Sequence, residues 1–365
     1  MKRGRKIGCG FVALALIAGA VWYCCSSPKG REQTKPGVAE EFRYQPLKTL
    51  AAHIAMMEKP DANRVLILGE AGEDYRSFFE RAKRRCLAKD EAGRYDIVFI
   101  GGKPDRTWSD TVARVGSSGV LAWAFDVKDV TAAEFKRWLE DFPCEQAHLW
   151  MPGETSWVLV GRPKPACLKL ELMLELFSDE QAFVDLARAK CESLPELFAS
   201  YVGTREDILP AFDGDLSTTV RPEVFVPRKI GEIGWIAKGD VDDDIYAAVR
   251  AEIRSMQLVR RMVLEGNMLS RQPDGLDKAL DKWSAAVLRN PRDSMMLERL
   301  YRLAVNAKAF QNVGNLKGAA KCYETMIAIR PKDAAAMSAY AECAKMLGQK
   351  ELSEQAAKRA EELMK

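Results

Sequence analysis

The chain has 365 residues, enough for two or three domains, and its 47% hydrophobic and 29% charged residues are the composition of an ordinary globular protein. A net charge of +3, with acids and bases alternating finely, lacks the concentrated basic face that nucleic-acid binding needs. Nine cysteines include no CxxC pair and the two histidines, His53 and His148, lie far apart, so no metal-ligand cluster is written in the sequence.

The basic tail 1–6 (MKRGRK) leads into IGCGFVALALIAGAVWYCC, residues 7–25, which carry no charge. As a helix this segment spans about 28 Å, close to the roughly 30 Å hydrocarbon core of a bilayer. Trp22 and Tyr23 fall where an interfacial aromatic belt lies, and the preceding cations keep the N-terminus cytoplasmic. The expectation is a single-pass anchor with the bulk of the chain periplasmic or otherwise extracytoplasmic. The alternative is a signal peptide cleaved near Ala18-Gly19-Ala20, with secretion. Bulky Val21, Trp22 and Tyr23 before Cys24 argue against a lipid-attachment box. Residues 26–41, rich in Ser, Pro, Gly and charge, read as a linker.

Residues 42–165 read as an α/β domain. A helix over 45–58 precedes the strand RVLILG, a helix from about Glu73 to Lys89 and the buried strand RYDIVFIGG. SGVLAWAF is a third strand. TAAEFKRWLEDF is a helix opened by a Thr131/Glu134 capping box. QAHLW, the MPGET turn and SWVLVG form a closing antiparallel hairpin. Arg81, Lys83, Arg84 and Arg85 read as a solvated helix face, the isolated cysteines as small buried hydrophobes and His148 as structural.

This order, with HIAMMEKPDANRVLILGEAGED, YDIVFIGGKPD, SSGVLAW and FPCEQAHLWMPGETSWVLVGRP, resembles the methyltransferase-like fold of the spermidine synthases, the polyamine aminopropyltransferases. DGDLSTTVRPEVFVPRK, residues 213–229, resembles a tail of bacterial members, so 166–240 is expected to be a connecting segment carrying it. In that family a loop of small residues after the first strand admits the cosubstrate, decarboxylated S-adenosylmethionine. Here the loop is Gly69-Glu70-Ala71-Gly72, so the resemblance leaves Gly69, Glu70 and Gly72 as a vestigial cosubstrate site. The family's ribose- and adenine-binding strands do not fit between Gly69 and Tyr95, because a helix and the DEAGR turn use those residues. A sheet of about five strands, with the first at an edge, follows. The family's catalytic aspartate position is occupied by Gly101. Asp105 is at most a weak substitute and reads better as a helix N-cap, and Asp96 stands at the strand's start, remote from a site. The resemblance therefore implies a non-catalytic relative with no cofactor. An active aminopropyltransferase, or an S-adenosylmethionine-dependent methyltransferase-like enzyme with a rebuilt site, is the alternative.

Residues 241–365 read as helical. Ala279, Trp283, Ala286 and Pro291 match the second helix and terminal proline of a tetratricopeptide repeat, and Ala319, Tyr323 and Pro331 recur 40 residues later. The unit is usually 34 residues long; FQNVGN is expected to absorb the surplus as a longer loop. Ser353, Ala357 and Ala360 follow 34 residues after Ala319, Tyr323 and Met326. Such an array leaves a concave face, expected here to be lined by Met295, Glu298, Arg302 and Asn306, then Ser338, Glu342 and Lys345. The fold class is α/β plus all-α: a reduced Rossmann-like sheet followed by a repeat array that takes a protein or peptide partner. In the competing reading the short array only packs on the α/β domain or self-associates.

Overall fold

The computed structural model describes residues 45–87, 93–103, 107–212, 214, 216–225 and 233–365. The expected anchor at 7–25, the linker at 26–41 and Asp105 lie outside the described residues. No helix among the described residues is long and apolar enough to cross a membrane.

Helix α1 (Gln45–Glu58) leads into strand β1 (Arg64–Leu68), whose five residues RVLIL are buried from Val65 onward. Helix α2 (Glu73–Arg81), short strand β2 (Arg85–Leu87) and strand β3 (Tyr95–Gly101) follow. Next come α3 (Trp108–Val112), β4 (Val115–Asp126), α4 (Ala132–Asp141), β5 (Gln146–Trp150) and β6 (Ser156–Arg162). The capping box at the start of α4 forms as read: Thr131 Oγ1 accepts from Glu134 N at 3.2 Å, and Glu134 Oε2 accepts from Thr131 N at 2.9 Å.

The sheet has seven strands in the order β2-β1-β3-β4-β6-β5-β8, where β8 is Tyr201–Thr204. β2, β1, β3 and β4 run parallel; β6 is antiparallel to both β4 and β5, and β8 is antiparallel to β5. The expected closing hairpin is present. The expectations of about five strands and of β1 at an edge are corrected. α2 ends eight residues earlier than read, because Lys83 adopts a left-handed φ of 58° and turns the chain back. Arg85 N then donates to Asn63 O at 2.8 Å, and three residues pair along β1. The basic run is consequently not one solvated helix face. Arg81 pairs with buried Asp185 at 2.9 Å, and the Arg84 guanidinium donates to the carbonyls of Pro60 and Ala62.

The segment 166–240 is more than a connection. It supplies β8, the small β7/β9 pair (Leu168–Lys169 with Ile236–Ala237) and helices α5 (Leu170–Ser178), α6 (Glu180–Arg188) and α7 (Leu194–Phe198). Alternation along the strands explains why both sheet faces need cover. Val65, Ile67, Ile97, Phe99, Val120 and Ala122 pack with residues of α1, α2 and α5–α7. Leu66, Leu68, Val98, Ile100, Leu121 and Trp123 pack on the other face with α4 and, continuously, with the C-terminal helices.

Those helices are α9 (Asp243–Leu269), α10 (Leu276–Arg289), α11 (Ser294–Asn312), α12 (Leu316–Ile329), α13 (Ala334–Met346) and α14 (Lys350–Met364), after the one-turn α8 (Arg205–Ile208). They pack as three consecutive pairs, α9/α10, α11/α12 and α13/α14. Ala279, Trp283 and Ala286, then Ala319, Tyr323 and Met326, are buried between helices as their spacing predicts. In α14 the buried pair is Ala356 and Ala360, while Ala357 faces solvent. Residues 42–365 form a single contact unit, so the array and the sheet share one core.

Candidate functional site

The turn after β1 is closed by the chain's own backbone. Gly69 has φ +85°, a conformation L side chains rarely adopt, and Gly72 begins α2. Above them lies the end of β3: Ala71 N donates to Gly101 O at 3.0 Å. A Cβ on Gly101 would stand 2.8 Å from the carbonyl carbon and oxygen of Ala71 and 2.9 Å from Gly72 N. A Cβ on Gly69 would meet Gly101 O well inside contact distance. Gly69 is therefore required by two backbones pressed together, and Gly72 by the close approach of the Leu68 carbonyl. Gly102, at φ +77°, folds back so that its N–H donates to Ala124 O at 2.8 Å, and Trp123 Nε1 donates to Gly102 O at 2.7 Å. The Glu70 side chain lies over Gly102.

Electrostatics at this turn also oppose an anionic ligand. The first turn of α2 carries Glu73 and Asp74, which complement the positive helix end where a phosphate or carboxylate would otherwise sit. Lys48 pairs with Asp74, and Arg76 with Glu73 at 2.6 Å. The arginine partner holds the Glu73 carboxyl below its ordinary range. Gly101 brings no base to the turn. Asp96 accepts from Asn63 N and Arg64 N, both at 2.9 Å, and so fixes the start of β1.

A buried polar cluster missed in the sequence lies at the other end of α1. His148 Nδ1 donates to Glu58 Oε1 at 2.8 Å, and Arg162 binds Glu58 Oε2 at 2.8 Å and the Glu58 carbonyl. Burial alone would raise the Glu58 carboxyl; the charge of Arg162 and the hydrogen bonds from His148 and Arg162 hold it below its ordinary value. Ala166 N donates to Gln146 Oε1 at 2.9 Å, which turns the Gln146 amide N–H toward His148 Nε2 at 3.2 Å. His148 Nε2 is thus an acceptor and the ring is the Nδ1–H tautomer. The ring stacks on Trp235 at 4.3 Å. With both nitrogens engaged and no hydroxyl or thiol bonded to either, His148 braces β5 against α1. The reading of His148 as structural fits this geometry, but no local pattern marks the trio, because His148 and Arg162 lie 90 and 104 residues from Glu58.

The expected partner face splits in two. Met295 is fully buried. Glu298 Oε2 accepts from Glu154 N at 2.8 Å, and Arg302 bridges Glu154 at 2.9 Å and Glu298. Arg299 binds the Glu154 carboxylate at 3.1 Å and lies over the Trp283 ring at 4.5 Å. Burial raises the Glu298 carboxyl, partly offset by the Glu154 N–H and Arg302. This half of the face is filled by the MPGET turn and is not an open groove. Asn306, Ser338, Glu342 and Lys345 are exposed. Of the exposed large hydrophobics among the described residues, Phe183 alone lies outside residues 243–364; Leu288, Val313 and Met346 are the most exposed on the array besides the terminal Met364.

A cavity of about 10 Å³, lined by Lys190, Glu196, Ser200, Asn290 and Arg292 among others, has room for about one water and not for a nucleoside. Among the described residues no group of three or more His, Cys, Asp or Glu side chains could hold a metal ion. Comparison of the chain with protein-family models, with curated proteins and with solved structures finds no match.

Proposed function

We propose that the chain is a membrane-anchored, non-catalytic relative of the spermidine synthases that works by binding a protein through a tetratricopeptide-like array. The observation that carries the non-catalytic part is the closure of the Gly69–Gly72 turn by Gly101 and Gly102, with Ala71 N bonded to Gly101 O at 3.0 Å. A cosubstrate there would have to displace strand-end backbone, and a base at position 101 has no space. The parallel strands ending in an antiparallel hairpin support the family resemblance, and the three helix pairs support the repeat reading. The concentration of exposed apolar side chains on the array supports a role in association. Ser338, Glu342 and Lys345 on α13 are the partner-facing positions this reading selects. The anchor at 7–25 would hold the array outside the cytoplasm.

Calorimetric titration of the protein with S-adenosylmethionine, and separately with its decarboxylated form, tests the catalytic half. No saturable heat is expected; micromolar binding of either compound favours the rebuilt-site enzyme. Photo-crosslinking from position 338 in native membranes tests the other half. A discrete adduct lost in Glu342→Lys/Lys345→Glu is expected, and an unchanged crosslink pattern counts against α13.

A further inference from the structure

The array carries an internal ruler. Asp293 and Asp333 are N-caps that accept from Met296 N and Ala336 N, and each follows a Pro two residues earlier. Gly314 and Gly348 close the first helix of each pair with φ of 75° and 77°. The caps stand 40 residues apart and the glycines 34, so six extra residues lie inside α11. FQNVGN does not absorb them as a loop: Phe310, Gln311 and Asn312 are helical, and α11 has 19 residues where α13 has 13. Counting back from the glycines, Ala334 corresponds to Leu300, and the surplus is residues 294–299, the first turn and a half of α11.

These six residues form part of the joint with the sheet, beside α9, which packs on α7, and Arg292, which pairs with Glu192 and Glu196. Ser294 Oγ donates to Pro152 O at 2.5 Å and accepts from Arg260 at 2.9 Å. Met295 and Met296 are buried. Glu298 accepts from Glu154 N, and Arg299 binds the Glu154 carboxylate. Arg260 of α9 completes the contact through Met151 O and buried Asp293.

We infer that residues 294–299 are an inserted docking element whose partner is the β5–β6 turn, Met151–Thr155, of the same chain. A 34-residue repeat without them would end about 9 Å short along α11, at 1.5 Å per residue. The insertion converts the first half of a ligand-accepting face into a permanent intramolecular contact and fixes the array's orientation on the sheet. It leaves α13 as the part of that face available to another molecule.

Two variants of the full chain test this. Deleting residues 294–299 restores the 34-residue spacing. The array should stay helical by circular dichroism while thermal unfolding changes from one transition to two, the sheet and the array melting separately. Glu154→Lys is the milder variant, should the deletion fail to fold. Amide exchange at 294–302 should accelerate at least about tenfold while amides in β1, β3 and α14 keep wild-type rates. Combining it with Arg302→Glu should recover part of the loss. Exchange that stays at wild-type rates in Glu154→Lys, or rises equally in every element, overturns the inference, as does a deletion variant that still melts in one unchanged transition.

Discussion

The substitution Gly101→Ala measures how tightly the turn after β1 is sealed. The added methyl would stand 2.8 Å from the Ala71 carbonyl carbon and oxygen and 2.9 Å from Gly72 N. All three are backbone atoms, and none can swing aside as a side-chain tip can. They are also tied to the same strand end by the 3.0 Å Ala71 N to Gly101 O bond. Overpacking of this kind costs about 1–3 kcal/mol. Replacing glycine in an unstrained conformation returns about 0.4–1 kcal/mol by restricting the unfolded chain. The net expectation is a loss of about 1–2 kcal/mol. Gly101→Asp should lose more, because it adds a carboxylate to the same space. Urea denaturation of the full chain reads the loss as a lower midpoint at unchanged slope. Gly234→Ala is the control: nothing lies within 4 Å of its Cβ, and its midpoint should hold or rise slightly. A Gly101→Ala protein as stable as wild type, or aminopropyl transfer by Gly101→Asp, would refute the sealed turn.

Two further predictions concern buried charge. Arg162→Met leaves the Glu58 carboxylate buried with His148 as its remaining side-chain partner, and should cost about 3–5 kcal/mol in denaturant unfolding; a loss under about 1 kcal/mol would mean the pair is far better solvated than its geometry. His53 is fully buried, with Nδ1 bonded to Thr49 O at 2.8 Å and Nε2 unpartnered, and burial lowers its pKa below 6.5. The unfolded chain therefore takes up a proton that the folded one refuses, so stability is lost as pH falls below about 6.5, by at most about 1.4 kcal/mol per pH unit. His53→Leu should flatten that slope between pH 6.5 and 5 relative to wild type, and parallel curves would show that His53 is hydrated.

The elements legible in the sequence are those whose signal is local. Unbroken β-branched and aromatic runs marked β1, β3, β4 and the β5–β6 hairpin, and the Thr131/Glu134 pair marked the start of α4. The helical spacing of Ala279, Trp283 and Ala286 placed the array's core. β2 escaped because three residues beside a left-handed Lys83 carry no periodicity. β8 escaped because its four residues pair only with a strand some fifty residues earlier. Gly69 and Gly72 are visible, but the reason for Gly69 lies in Gly101 O, on a neighbouring strand, and that for Gly72 in the Leu68 carbonyl at the end of β1. Helical phase places Met295 and Glu298 on an open face because it cannot tell solvent from a docked turn. The surplus in the repeat was visible as a count, and its place in α11 required the positions of both caps and both glycines.

The sealed turn can be tested without changing a residue. Amide hydrogen exchange at Ala71 and Gly102, whose N–H groups bond to Gly101 O and Ala124 O, reports directly on whether the loop opens. The account predicts protection at both amides approaching that of β3, with no change on adding either S-adenosylmethionine or its decarboxylated form at millimolar concentration. Rapid exchange at these two amides, or protection that rises with ligand, would contradict it and point to a working site.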